Sequence, residues 1–204
     1  MKILKEFLLG QVENNCFVID VDNKIILIDA PMGSEKIVDF LEKNELQLDY
    51  IFLTHAHYDH IIGLDVIVEK FPSVKIYAPK LELNFLKDPK ENLSFFSTPY
   101  TYNGVVYCYD DIDISELGLE INYIPGHSRS SAVLSFIDDQ IVFSGDTLFK
   151  GTIGRTDLPY GDRASLVSGI KQHIMVLAGE TKVYPGHGNF TTVAIEKMGN
   201  PYFR

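Results

Sequence analysis

The chain of 204 residues carries 18 Lys and Arg against 28 Asp and Glu, a formal net charge of −10, with 46% hydrophobic and 23% charged residues. That is the composition of a folded chain rather than a disordered one, and the length suits one domain, 1–204, burying roughly 70% of the surface its unfolded state exposes. The acidic balance argues against a nucleic-acid partner, which needs clustered Lys and Arg, and no apolar run approaches the ~20 residues of a membrane span.

The opening Met1-Lys2-Ile3-Leu4-Lys5-Glu6-Phe7 mixes charges among its apolar residues and does not read as a signal peptide. Short β-branched and aromatic runs predict strands at Cys16–Asp20, Ile25–Asp29, Tyr50–Thr54, Val74–Ala78, Val105–Tyr109, Leu119–Ile124, Ala132–Ile137, Ile141–Ser144 and Lys182–Tyr184. Three helical patterns fall between them. Ser34 is placed to cap a helix with Ile37, Phe40 and Leu41 on its apolar face. A second helix is expected over His60–Phe71, and Asp162 caps a third that carries Leu166, Val167, Ile170 and Ile174. Leu81–Gly104 has no clear period and reads as a helix end followed by a long ordered loop rich in aromatics (Phe95, Phe96, Tyr100, Tyr102). The mix of elements predicts a layered α/β fold. Cys16 and Cys108 lie in separate apolar stretches and read as buried thiols rather than a disulfide, so a reducing cytoplasm is the expected location.

The six histidines are not scattered at random. Thr54-His55-Ala56-His57-Tyr58-Asp59-His60 follows an apolar strand directly, placing His55, His57, Asp59 and His60 on one strand-to-helix loop. Imidazole and carboxylate at this density suit zinc or another borderline divalent ion. Reading them as turn and cap residues would require four separately satisfied polar groups within six residues. Pro125-Gly126-His127 and Pro185-Gly186-His187 repeat one local frame, a strand stopped by Pro-Gly with a His in the turn, and Ser144-Gly145-Asp146 ends a further strand in a carboxylate. All of these stand at C-terminal ends of strands, which predicts one shared sheet edge. His173, inside a helical pattern, reads as a surface residue.

At these residues the chain resembles the metallo-β-lactamase superfamily, whose signature is an HxHxDH loop followed by separated His, Asp and His. Asn15-Cys16-Phe17-Val18, Ser144-Gly145-Asp146-Thr147-Leu148-Phe149, Gly154-Arg155-Thr156-Asp157-Leu158-Pro159 and Tyr184-Pro185-Gly186-His187-Gly188 further resemble its glyoxalase II (hydroxyacylglutathione hydrolase) branch. The resemblance implies an αββα four-layer sandwich and two divalent metal ions, zinc first and iron or manganese as alternatives. It implies that His55, His57 and His127 bind one ion and Asp59, His60 and His187 the other. Asp146 would bridge the two, and a metal-bridging hydroxide would be the nucleophile. Only 17 residues follow His187, so the branch's C-terminal helical domain, which grips glutathione, is not expected.

Thiolester hydrolysis suits such a site, because the leaving thiolate, of a thiol with pKa near 8.5, needs little protonation. Asp29 and Asp157 are candidates for orienting the ligating imidazoles. Arg155 would hold a substrate carboxylate or form a buried pair with Asp157, and Tyr160 would line the pocket. A small-molecule substrate is expected, without nucleic acid or membrane. The competing readings are a mononuclear iron persulfide dioxygenase, which uses His55, His127 and Asp146 alone, a lactonase or phosphodiesterase on the same residues, and a non-catalytic metal binder.

Overall fold

A computed structural model describes residues 1–113 and 117–204, and their contacts divide into two compact units, Met1–Ile112 and Asp113–Arg204. The first unit is built on a six-stranded sheet in sequential order: β1 (Lys2–Leu9), β2 (Asn14–Val21), β3 (Lys24–Ile28), β4 (Leu48–Phe52), β5 (Lys75–Ala78) and β6 (Tyr107–Cys108). Strands β1 to β3 form an antiparallel meander, and β3 to β6 run parallel. Parallel neighbours require crossovers, supplied here by α1 (Glu35–Lys43) between β3 and β4, and by α2 (Tyr58–Ile61) and α3 (Leu64–Lys70) between β4 and β5. Cys16, Val18, Leu27 and Ile51 pack with Ile37 and Leu41 of α1 and with Leu64 and Ile67 of α3 in one buried cluster.

Every run predicted as a strand in this unit is one, although Val105–Tyr109 shrinks to β6. The sequence reading did not place β1. A bulge between Ile3 and Lys5 breaks its two-residue period, and Lys2, Lys5 and Glu6 mark it as an edge strand protected by charge. The helix expected over His60–Phe71 is two helices, broken at Ile62-Gly63. A Cβ on Gly63 would lie 2.3 Å from the Pro31 carbonyl oxygen and 2.2 Å from Ser34 Oγ, so the break is where the backbone passes closest to the start of α1. Ser34 occupies the cap position of α1 but makes no capping bond, and its hydroxyl donates to the Pro31 carbonyl. The face expected for α1 is the one it buries: Ile37 and Leu41 are fully buried, Phe40 is half-buried and packs against the same core, and Val38 joins them. Lys80–Glu82, Phe85–Lys87 and Ser94–Phe96 are short 3-10 turns inside the stretch read as a loop.

The second unit holds a five-stranded mixed sheet. β7 (Glu120–Ile124), β8 (Ser131–Phe136) and β9 (Ile141–Gly145) are antiparallel, and β12 (Lys182–Pro185) runs parallel to β9 with β13 (Thr191–Thr192) at its other side. A two-stranded hairpin, β10 (Leu148–Phe149) with β11 (Thr152–Ile153), leaves the end of β9. Helix α4 (Arg163–His173) is capped by Asp162, which accepts from the Ser165 amide as expected. Its Leu166 and Ile170 pack with Ile124, Val133, Val142 and Val183 of the sheet. His173 closes α4, half-buried, rather than lying mid-helix. Helix α5 (Val193–Gly199) ends the fold. Among the described residues no helix is long and apolar enough to cross a membrane.

Candidate metal centre

The expected ligands stand at C-terminal ends of strands as predicted, but of two sheets rather than one: β4 in the first unit and β7, β9 and β12 in the second. In the first unit, β4 runs out at Phe52 into Leu53–His57, and α2 begins at Tyr58. His55 and His60 are fully buried, and their ring centroids lie 4.1 Å apart; His55 and His57 lie 4.7 Å apart. Asp59 Oδ2 is 3.6 Å from His60 Nε2.

Asp29, in the residue after β3, organises this loop. Its backbone is left-handed at φ 59°, a region an Asp tolerates better than most side chains. From there Oδ1 accepts the Thr54 amide, and Oδ2 accepts both the Thr54 hydroxyl and His60 Nδ1, each at 2.8 Å. Because the Thr54 hydroxyl spends its proton on Asp29, its contact of 3.1 Å with His55 Nδ1 makes the ring nitrogen the donor. Both imidazoles therefore carry their proton on Nδ1 and present the lone pair at Nε2, the tautomer a metal ligand needs.

Further groups hold the loop backbone. Glu82, fully buried, accepts the Ala56 amide at 2.7 Å; the Tyr109 hydroxyl donates to the Leu53 carbonyl; and the Tyr58 amide donates to the Asn92 carbonyl. Sequence reading missed all three. Glu82 alone left a signal, a single acid between Leu81 and Leu83 in an apolar stretch, since a buried carboxylate needs a partner.

In the second unit, His127 follows β7, Asp146 follows β9 and His187 follows β12. Asp146 Oδ2 is 3.6 Å from His127 Nε2 and 3.6 Å from His187 Nε2. With metal–nitrogen and metal–oxygen bonds of about 2.0–2.2 Å, donors around one tetrahedral ion sit roughly 3.4 Å apart. These separations suit donors that share an ion. His127 Nδ1 lies 3.0 Å from the Arg155 carbonyl, which can only accept, so here too the proton is on Nδ1. Gly154 allows that approach: a Cβ there would lie 1.9 Å from the Asp146 carbonyl oxygen and 3.2 Å from His127 Cβ. The β10–β11 turn that feeds Gly154 is held by buried Glu196, which accepts from the Gly151 amide, the Thr191 hydroxyl and the Asn200 side chain.

The remaining candidates divide. Asp29 orients imidazoles as expected. Asp157 does not: it forms a two-bond pair with Arg155 at 2.8 and 2.9 Å, and the pair is on the surface, its side chains 70% and 63% exposed, rather than buried. The Arg155 guanidinium holds the Asp157 carboxyl down at about 2. Arg155 serves the donor set through its backbone carbonyl, which residue type does not reveal. Tyr160 is half exposed beneath Arg129, 5.4 Å from its ring centre. Cys16 and Cys108 are free and buried, as expected; burial above all, then the Asp29 carboxylate, pushes the Cys16 thiol well up, away from its reactive thiolate form.

Residues 9–187 match the sequence profile of the metallo-beta-lactamase superfamily. The chain is 34% identical to a probable metallo-hydrolase of Streptococcus pyogenes, covering 100% of this chain and 90% of that one. It is 30% identical to the hydroxyacylglutathione hydrolase GloC of Haemophilus influenzae, covering 93% and 92%. Among solved structures it resembles the B3 metallo-beta-lactamase BLEG-1 (TM-score 0.88, 32% identity, 98% of both chains). A chain crystallised in a di-iron-bound form is also similar (TM-score 0.86, 29% identity, 98% of this chain and 100% of that one).

Proposed function

The chain belongs to the metallo-β-lactamase superfamily, and from that premise we propose that it is a binuclear metallohydrolase that cleaves thiolesters, in the manner of glyoxalase II. His55, His57 and His127 would hold one divalent ion and Asp59, His60 and His187 the second, with Asp146 contributing its carboxylate to both. The observation that carries this reading is the tautomer control: His55, His60 and His127 each give the Nδ1 proton to a protein acceptor, leaving Nε2 as the donor. The placing of Asp146 Oδ2 at 3.6 Å from two imidazoles supports it. Zinc suits these nitrogen and oxygen donors; the di-iron relative keeps iron as an alternative.

Two such ions supply Lewis-acid polarisation of a carbonyl and an acidified water as nucleophile. The chain's own residues determine the rest. Asp29 accepts the His60 proton directly and the His55 proton through Thr54, which raises the basicity of both rings and fixes their orientation. Glu82 and Tyr109 keep the ligand loop from shifting as substrate enters. Asp29 and Glu82, the buried acids around this loop, are both engaged as acceptors, so neither is poised to protonate a leaving group. A thiolate leaves without that help; an amide nitrogen does not. Likeness to BLEG-1 favours β-lactam hydrolysis as a second reading, and the engagement of Asp29 and Glu82 as acceptors ranks it below thiolesters.

The test is thiol release from S-lactoylglutathione and from the lactoyl thiolester of N-acetylcysteamine, with a β-lactam alongside. Hydrolysis of both thiolesters with kcat/KM within ~10-fold of each other, about 1.4 kcal/mol, is the expected result. A preference for glutathione above roughly a thousandfold would show a dedicated glutathione site. Faster β-lactam cleavage would exchange the two readings.

A further inference from the structure

Polar bonds fasten the stretch from Asn92 to Tyr100 of the first unit at both ends. The buried Asn92 side chain donates to the carbonyls of Phe85 and Tyr100 at 3.0 Å each, and its oxygen accepts the Ser94 amide. Ser94, also buried, accepts the Tyr100 amide through its hydroxyl at 2.9 Å, and the Tyr100 hydroxyl donates to Asp65 of α3. Leu93 stands in the left-handed region at φ 69°, which a bulky side chain adopts only when its surroundings impose it. This scaffold presents Phe95 and Phe96, 56% and 82% exposed, edge to face with ring centroids 5.9 Å apart. Lys90 reaches over the Phe95 ring at 5.9 Å, which leaves Phe96 as the open half of the pair. Single exposed hydrophobics are ordinary. An adjacent aromatic pair on a braced, strained turn costs the fold both apolar exposure and backbone strain.

The same scaffold fixes where the pair lies. Tyr58, between the expected ligands His57 and Asp59, donates its amide to the Asn92 carbonyl at 2.8 Å. Ser97 and Thr98, which follow Phe96 directly in the chain, wall a cavity of about 90 Å³ together with Tyr58, Asp59, Ile62 and Met32. Phe96 therefore adjoins a cavity that has the Asp59 carboxylate in its wall. The two ends of this path attract different chemistry. An ion held by Asp59 draws carbonyl or carboxylate oxygen, whereas the phenyl rings draw apolar surface. In a thiolester the alkyl chain of a simple acyl group is the uniformly apolar part, and a thiol carrier of peptide or nucleotide chemistry is polar along its length.

We propose that Phe95 and Phe96 form a ledge for the acyl chain of the substrate, so that straight-chain acyl groups of medium length are bound in preference to acetyl. The small cavity beside Asp59 receives the carbons next to the carbonyl, and the ledge receives those beyond. Phe95 and Phe96 are thus specificity-determining residues, and the strain at Leu93 is the cost of holding them outward. The substrate assignment rests on the thiolester reading, but the ledge is measured by binding without turnover.

The experiment titrates ketone analogues of S-acyl-N-acetylcysteamine, in which a methylene replaces sulfur so that nothing is cleaved, into the zinc-loaded full chain and into Phe95→Ser/Phe96→Ser. The acyl part runs from acetyl through butanoyl to hexanoyl. In the wild type, affinity should rise about twofold per added methylene, half of the ~0.8 kcal/mol that complete burial gives, and the Phe95 and Phe96 ring resonances should shift. The double variant should bring that rise below about 1.3-fold per methylene. An affinity that does not rise with chain length, or a rise that survives in the variant, would overturn the proposal. Ring resonances unmoved by saturating hexanoyl analogue would overturn it without any variant. A dimer in sedimentation that the variant abolishes, with the chain-length rise intact, would overturn it in favour of a self-association surface. Failure to hydrolyse the matching thiolesters, with the rise and the ring shifts present, would instead overturn the reaction assigned to the site.

Discussion

The two units assemble their donors by opposite means. The first places four within residues 55–60, on one loop whose shape is set by a single carboxylate, Asp29, contacting Thr54 and His60. The second takes one donor from each of three strand ends, at residues 127, 146 and 187. There the geometry depends on sheet register: β12 pairs in parallel with β9, Pro185 opposite Gly145, which puts the loops carrying His187 and Asp146 side by side. A backbone carbonyl, that of Arg155, orients the imidazole. Local chemistry builds one half, and strand pairing with close backbone packing builds the other. Substitutions should therefore act differently in the two.

The largest difference is expected between the two carboxylates. Asp146→Ala removes the group standing between two imidazoles and should lower kcat by well over the roughly 100-fold upper range of an outer orienting group. Asp59→Ala, which touches one His60 nitrogen at 3.6 Å, should cost less. Steady-state kinetics at matched metal loading decides, and equal or reversed losses would break the asymmetry.

Next comes the orienting carboxylate itself. Asp29→Ala should weaken metal binding 10–100-fold, read by competition with a chelator, because His55 and His60 both lose the acceptor that sets their tautomer. Asp157→Ala, although it removes an equally charged residue from a stretch the family resemblance marks, should leave metal affinity unchanged. An effect at Asp157 matching that at Asp29 would contradict the surface pairing.

Gly154→Ala probes the second half's reliance on backbone approach. Its Cβ would meet a carbonyl oxygen at 1.9 Å, so backbone must shift, at a cost of about 1–3 kcal/mol or more, seen as a lower Tm. Metal should also be lost from the His127 and Asp146 side first. A neutral outcome would mean that the hairpin yields easily and that Glu196 does not hold it.

The smallest effect concerns the Arg155–Asp157 pair. Asp157 is held down to about 2 from its ordinary 3.8, chiefly by its hydrogen bonds with Arg155. A lowered carboxyl pKa stabilises the fold above the unfolded value and is lost as pH falls from about 3.8 toward 2. Melting curves of wild type and Asp157→Asn should therefore keep a constant offset between pH 5 and 8 and converge only in that acidic window.

The same contrast explains what the sequence made legible. His55, His57, Asp59 and His60 announced themselves by density, and nine strands by their β-branched and aromatic runs. His127, Asp146 and His187 are individually ordinary turn residues, identifiable only together. Asp29 was readable because it ends a strand; Glu82 left only the signal of a lone acid between leucines and Tyr109 none, because their partners Ala56 and Leu53 lie far along the chain and are reached through backbone atoms. The Arg155–Asp157 pair was legible from residue type, though not its exposure; that the fold orients His127 with the Arg155 carbonyl was not, because residue type advertises only the guanidinium. The β1 bulge and the break at Gly63 escaped because each interrupts a period where two backbone segments come together.

The central claim is that both donor sets are occupied and act on one substrate. Metal analysis of freshly purified protein by native mass spectrometry, coupled to thiol release from S-lactoylglutathione, tests it directly. The account predicts close to two divalent ions per chain, with thiol release that falls as the second ion is removed. One tightly bound iron per chain, with sulfite formed from glutathione persulfide and no thiol released from the thiolester, would contradict it.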